Sequence, residues 1–243
     1  MRIFLLRKNI SLILILFILS VSTSSVARDI PPPLRILLKI EKRFQEISTI
    51  KGEFVKYMIK DGKEIELNGE LYYKSPDKIR FKYLSPVTYD MSSDGKYVYY
   101  HNGDEKIKKE LSSLSEAELA AYGLSPGFGI DYIAPIKPDP YTFIIKDDEG
   151  SATIISAIPK KEGVPRMEFS VDKKMNALTY IKYYSEENKT LNQINFLDFK
   201  EVVDDFWFAM NVTITVKAGF DMEDVEYKNM QFNTNLDDAL FVQ

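Results

Sequence analysis

The chain has 243 residues, one histidine, no cysteine and a formal net charge of −4 at neutral pH. Without cysteine it has no disulfide, no thiol nucleophile and no lipid attached through an N-terminal cysteine. The acidic balance argues against binding nucleic acid or an anionic membrane surface by charge.

The first 27 residues read as an export signal. Arg2, Arg7 and Lys8 form a basic start, Ile10 to Leu19 is an apolar run broken only by Ser11, and Ser25-Val26-Ala27 offers small residues for cleavage. The run is shorter than the roughly 20 residues of a membrane span. Cleavage near Ala27 would remove three cations and move the net charge from −4 to −7.

Residues 28–243 read as a single domain, because no interdomain linker or internal repeat interrupts them. Pro31-Pro32-Pro33 is expected to be a stiff extended lead-in outside any helix interior. Leu34, Leu37, Leu38, Phe44 and Ile47 then fall at mostly three- and four-residue steps, which predicts an amphipathic helix over Leu34–Ile47. Gly52–Ile59 is the first predicted strand, with Phe54 on one face, and Asp61-Gly62 turns it into Glu64–Tyr73.

The stretch Gly69–Asn102 reads as an aromatic meander. Ile79, Phe81 and Tyr83 alternate with Lys78, Arg80 and Lys82, placing rings on one face and cations on the other. Ser75-Pro76-Asp77 and Asp94-Gly95 supply turns, the second before the strand Tyr97–Tyr100. In Leu111–Tyr122, Ser115 and Glu118 have capping-box spacing, predicting a short helix. The breaker cluster Leu124–Ile130 follows, with Phe128 and Ile130 apolar, and then Pro135, Pro138 and Pro140. This insert is expected to cover the sheet.

Seven further strands are predicted: Tyr141–Lys146, Ala152–Ile158, Arg166–Val171, Leu178–Tyr184, Leu191–Phe199, Phe206–Val216 and Asp224–Phe232. Asp147-Asp148-Glu149-Gly150 between the first two lacks the spacing of a calcium loop and reads as a hairpin tip. The fold class is mainly β (α+β): a strongly curved antiparallel sheet of about ten strands with helices on its concave side.

The sequence offers little catalytic chemistry. His101 ends an aromatic strand beside Asn102 and Gly103, a turn position. There is no Gly-x-Ser-x-Gly elbow, phosphate loop or dinucleotide fingerprint. Asp204-Asp205 and Asp237-Asp238 are adjacent in sequence and would point to opposite faces of a strand, so turns and caps suit them better. The expectation is a protein that is not an enzyme and needs no cofactor or metal. Its excess is in rings, fifteen Tyr and fifteen Phe against one Trp. Rings interleaved with lysines can read single-stranded nucleic acid, but the charge and export signal oppose that here. A concave apolar surface for a hydrocarbon ligand remains.

A set of short motifs in order sharpens this reading. A helix is followed by Ile50-Lys-Gly-Glu-Phe54, Gly69-Glu-Leu-Tyr-Tyr-Lys-Ser-Pro76, Ile79-Arg-Phe81, Pro86 and Ser93-Asp-Gly-Lys-Tyr97, and Asn233–Phe241 closes the chain. The pattern resembles the LolA family of periplasmic outer-membrane lipoprotein carriers. The resemblance implies an unclosed β-barrel capped by helices, whose cavity shields the acyl chains of lipoproteins between inner and outer membrane. It also implies a monomeric periplasmic protein, an inner-membrane ABC-type release complex and an outer-membrane acceptor. By alternation the cavity would be lined by Phe54, Leu71, Tyr73, Ile79, Phe81 and Tyr83, under a cover of Leu37, Phe44, Leu119, Tyr122 and Phe128. Ordinary core packing is the alternative for each residue singly. One departure stands out: better-studied carriers have a latch arginine where this chain has Ser75, leaving Arg80, a lysine or a different closure in its place. A periplasmic lipid or lipoprotein sensor, or a lipid-transport module on the same fold, is the competing reading.

Overall fold

In the computed structural model, residues 30–60, 62–114, 139–216 and 221–242 are described. Their regular elements are one α-helix, α1 (Pro32–Gln45), two short 3-10 turns, and thirteen strands. The strands are β1 (Thr49–Lys60), β2 (Lys63–Lys74), β3 (Lys78–Ser85), β4 (Tyr89–Ser93), β5 (Tyr97–Asn102), β6 (Glu105–Glu110), β7 (Tyr141–Asp147), β8 (Ala152–Pro159), β9 (Arg166–Asp172), β10 (Ala177–Tyr184), β11 (Thr190–Val203), β12 (Phe206–Val216) and β13 (Asp221–Phe232).

Helix α1 buries Leu34 and Leu37 of the expected stripe, with Leu38 and Phe44 partly buried, and adds Ile40, which the sequence did not single out. It begins earlier than the proline run led us to expect, with prolines in its first positions and Pro31 as its cap. The first helical residues have no intrahelical acceptor for an N–H, so proline loses nothing there and its fixed φ suits the helix. Lys42 and Arg43 in the last turn oppose the negative end of the helix dipole.

All thirteen strands form one antiparallel sheet, ordered β6-β5-β4-β3-β2-β1-β13-β12-β11-β10-β9-β8-β7. Two meanders are therefore joined at a seam between the first strand and the last. The edges are β6 and β7, consecutive in sequence, so the sheet does not close on itself and residues 111–140 connect one edge to the other. The count exceeds the expected ten because β4 and β6 give a weak signal. Buried Ser92 and Ser93 make up two of the five residues of β4. In β6, Glu-Lys-Ile-Lys-Lys-Glu carries charges of the kind that keep an edge strand from pairing further.

One face of the sheet packs on α1 through a continuous apolar cluster drawn from both meanders. A tight point in it is Gly69, which lies opposite Phe54 on β1 and Tyr83 on β3. A methyl group there would sit 2.4 Å from Phe54 Cζ and 2.7 Å from the Lys82 carbonyl oxygen. The vacancy lets the Phe54 ring lie across the strand and meet Tyr83 edge-on at 5.1 Å.

The other face of β2–β4 carries the C-terminal residues 233–242. Phe241 is fully buried and Leu236 nearly so. Lys74 Nζ donates to the Leu236 carbonyl at 2.9 Å and to Asp238 at 2.6 Å, and Lys78 meets Asp238 at 2.8 Å. Arg80 donates to the Leu240 carbonyl at 3.0 Å and forks onto Asp90. Arg80 thus lies on the face opposite Phe81, tied to the C-terminal strap. Ser75 sits in the β2–β3 turn, its N–H on the Ser48 carbonyl at 2.9 Å. Of the predicted helix Leu111–Tyr122, the structure describes only its start, a 3-10 turn over Leu111–Ser113; residues 115–122, with Ser115 and Glu118, and Ile130, Pro135 and Pro138 lie outside the described residues.

Two predictions test these contacts. Gly69→Ala should cost about 1–3 kcal/mol, as overpacking does, read as a lower urea midpoint with unchanged slope. Lys74 and Lys78 hold the Asp238 carboxyl at about 2 against an ordinary 3.8. A depressed carboxyl contributes stability that is complete above its unfolded value and is lost as pH falls toward the folded one. The C-terminal strap should therefore lose amide protection between about pH 4 and pH 2, whereas in Asp238→Asn it should be less protected at neutral pH and insensitive over that window.

Candidate functional site

The register of β2–β5 builds an aromatic wall row by row. Leu71 faces Phe81, Phe81 faces Met91 and Met91 faces Tyr100, while Tyr73 faces Ile79. The six residues expected to line a cavity, Phe54, Leu71, Tyr73, Ile79, Phe81 and Tyr83, thus share one face of the sheet. All but the half-buried Ile79 are at most 5 % exposed, packed as a wall. Of the expected covering residues, Leu37 is fully buried in the same cluster. Phe44 leans on Tyr73 at 5.7 Å and on Phe206 at 6.2 Å. Leu119, Tyr122 and Phe128 lie outside the described residues.

Open space on this face lies on the other side of the seam. A cleft of about 360 Å³ runs between the second half of α1 and β10–β12. Its walls are Ile40 and Phe44 from the helix, Leu178 from β10, Phe196 and Phe199 from β11, and Phe206 and Phe208 from β12. Two local features produce this arrangement. In β11 Asp198 adopts a left-handed φ of 53° and drops out of the pairing with β12, which resumes from Leu197–Asn211 at Phe199–Ala209. Phe196 and Phe199, on either side of this left-handed residue and three positions apart, both line the cleft, while Leu197 is exposed. The β11–β12 turn then uses Asp204 and Asp205 at positive φ, a conformation that aspartate tolerates.

The rim is polar and ties the helix to the sheet. Arg43 Nη2 donates to the Asp204 carbonyl at 2.7 Å and approaches the Asp205 carboxylate at 3.7 Å. Lys39 Nζ donates to Asn176 at 3.3 Å, and Lys42 also borders the cleft. The result is an apolar, ring-walled trough with a mainly cationic lip on the helix side.

A second polar feature lies on the same face, in the β1 half of the seam. Lys56, two residues beyond Phe54, is 5 % exposed and pairs with Glu223 at 2.8 Å. Burial lowers its pKa, opposed by Glu223. Nearby, Tyr83 stacks on Tyr89 at 4.1 Å, and burial pushes the Tyr83 phenol well up.

The sequence did not single out the cleft or the ion pair. The alternating rings of β11 and β12 were visible, but only the seam reveals that α1 faces them. Other polar residues take the expected turn roles. His101 Nε2 lies 3.0 Å from the Gly103 carbonyl oxygen, and Asp237 accepts from Ala239 N–H at 2.9 Å. Gly150 takes a positive φ at the tip between β7 and β8.

The ion pair makes a prediction. Glu223→Leu should destabilise by about 3 kcal/mol because it leaves the buried Lys56 without its carboxylate. Lys56→Met with Glu223→Leu should recover most of the loss, as a double-mutant cycle in urea would show.

Comparison with solved structures places the fold. A putative outer-membrane lipoprotein-sorting protein domain from Vibrio parahaemolyticus superposes with TM-score 0.67 at 14% identity, over 86% of this chain and 96% of that one. A DUF1329 family protein from Desulfovibrio piger gives 0.66 at 16%, over 87% and 96%. A LolA superfamily protein from Nitrosomonas europaea gives 0.60 at 11%, over 87% and 97%. At these identities the likeness is one of fold alone, shared with all three of these structures. A family model described only as an uncharacterized protein matches residues 134–243. No curated protein matches the chain in sequence.

Proposed function

We propose that the protein is a periplasmic carrier that shields the acyl chains of lipoproteins on its concave face and shuttles them from the inner to the outer membrane. On this reading residues 1–27 are a cleaved signal and residues 28–243 a single monomeric carrier domain. The observation that carries the proposal is the ring-walled cleft between α1 and β10–β12. A cavity of this size, apolar with a few polar groups at its rim, is the ordinary form of a small-ligand site. The aromatic wall of Phe54, Leu71, Tyr73, Ile79, Phe81 and Tyr83 continues the same apolar face toward β2–β3 and would extend the acyl-chain surface.

Energetics shape how such a carrier works. Each buried methylene contributes about 0.8 kcal/mol, so a single long acyl chain contributes on the order of 10 kcal/mol. Several fully buried chains would approach the ceiling of non-covalent affinity. Release into water would then be slow, and cargo would pass directly from a membrane release complex of the ABC type to the carrier and on to an outer-membrane acceptor. A cleft open along one side allows transfer of this kind.

Native mass spectrometry of the protein isolated from its own periplasm, followed by lipid extraction, tests the proposal. Acylated lipoprotein should co-purify, and Phe199→Asp or Phe206→Asp should lower its retention by on the order of tenfold or more, since each replaces buried ring surface with a charge. Free phospholipid in place of lipoprotein would point to a lipid-transport or sensing role on the same fold. A ligand-free mass in wild type and variants alike would count against the cleft as the site.

A further inference from the structure

Strand β10 runs from the cleft to the opposite end of the sheet, and a second cavity lies there. It measures about 390 Å³ between the turn at residues 160–165, joining β8 to β9, and the turn at residues 185–189, joining β10 to β11. Arg166, Lys160 and Lys161 bring positive charge to it, against Glu162 and Glu186. Glu186 accepts the Gly163 N–H at 3.1 Å, and Lys160 makes only a 4.0 Å approach to the exposed Asp139.

Arg166 is the unusual member. Its guanidinium lies 3.8 Å from the centre of the Tyr184 ring, a stacking that fixes the plane of the fork. Among the described residues none accepts a hydrogen bond from it, and its Nε is sealed from solvent without a partner. The carboxylate of Glu168, further along the same strand, is already taken. Lys146 donates to it at 2.7 Å, Tyr180 at 3.0 Å and Tyr184 at 3.3 Å. Native proteins seldom leave a buried donor unmatched, and a missing ion is one of the recognised reasons when they do. A planar guanidinium held by a ring, with spare donors and no ion pair to a described residue, is preorganised for bidentate binding of an oxyanion.

We propose that this cavity is a phosphate-binding site, with Arg166 as the fork and Lys160 and Lys161 as flanking charges. Three cations outnumber the two carboxylates that line the cavity, and the charge left over suits a tetrahedral anion with several oxygens better than a carboxylate, which the fork alone would satisfy. The phosphate can be free or esterified on a small headgroup. The site stands apart from the acyl-chain cleft and does not depend on the function proposed for it.

Calorimetric titration of the purified protein in phosphate-free buffer, with inorganic phosphate and with glycerol 3-phosphate, tests the site. Saturable binding is expected, weakened on the order of tenfold to a hundredfold in Arg166→Gln. Lys160→Gln with Lys161→Gln, on an exposed turn, should weaken it several-fold while leaving the thermal midpoint unchanged, and decides the matter if Arg166→Gln fails to fold. Tighter binding of glycerol 3-phosphate would support an esterified source, and equal or tighter binding of inorganic phosphate a free one. Phe199→Asp should leave both titrations unchanged. Absence of saturable binding with either probe, or binding that neither the arginine nor the lysine substitutions weaken, would overturn the assignment.

Discussion

The pairing of the first strand with the last is the contact on which the rest of the molecule depends. Along β1 and β13, Ile50 faces Phe232 and Phe54 faces Tyr227, across more than 170 residues of intervening chain. The seam has its own irregularity. Gly52 stands where β13 has an extra residue, and Asn229 takes a left-handed φ and donates to Glu53 at 3.0 Å. At its end Asn233 accepts from both the N–H and the hydroxyl of Ser48, at 2.8 and 3.0 Å. These bonds make one curved sheet of two meanders, and they bring α1, at one end of the chain, over strands from the other.

That geometry divides the concave face. On the β2–β5 side, every strand is joined to the next by a tight turn, the register is nearly unbroken, and rings fill the space to solid packing. On the β10–β12 side, left-handed residues at Asp198, Asp204 and Asp205 interrupt the regular strands, and α1 is held at its lip by Arg43 and Lys39 across a gap. Solid packing gives stability, and a gap bounded by rings gives room for an apolar guest. The same chemical material, aromatic rings on one face of the strands, serves both ends because backbone geometry decides whether the rings meet.

Charge is used with similar economy. Most ion pairs lie at the surface, where each contributes little. The exceptions sit where the chain needs a fixed geometry: Lys56 with Glu223 beside the seam, Arg80 with Asp90 beneath the C-terminal strap, and Glu168 with its lysine and two tyrosines on the outer face. Arg166 differs from all of these in having its position fixed by stacking and in forming no ion pair with a described residue.

The sequence by itself determined the local structure. Alternation in β2, β3 and β7–β13, the amphipathic stripe of α1, and the Asp-Gly and Asp-Asp turns all formed close to where the pattern placed them, because each is a short-range consequence of which face must be apolar. The ordered motifs also pointed to the right fold. It fell short where local chemistry is ambiguous: the prolines at the start of α1, the polar β4 beneath the strap, and the charged edge β6. What only the tertiary structure decided is which apolar face meets which. The seam sets the neighbours of α1, the left-handed backbone at Asp198 lies between Phe196 and Phe199 where both meet the cleft, and stacking on Tyr184 holds Arg166. Each depends on register between residues far apart in the chain, and a periodicity read along one strand carries no information about the strand that will lie beside it.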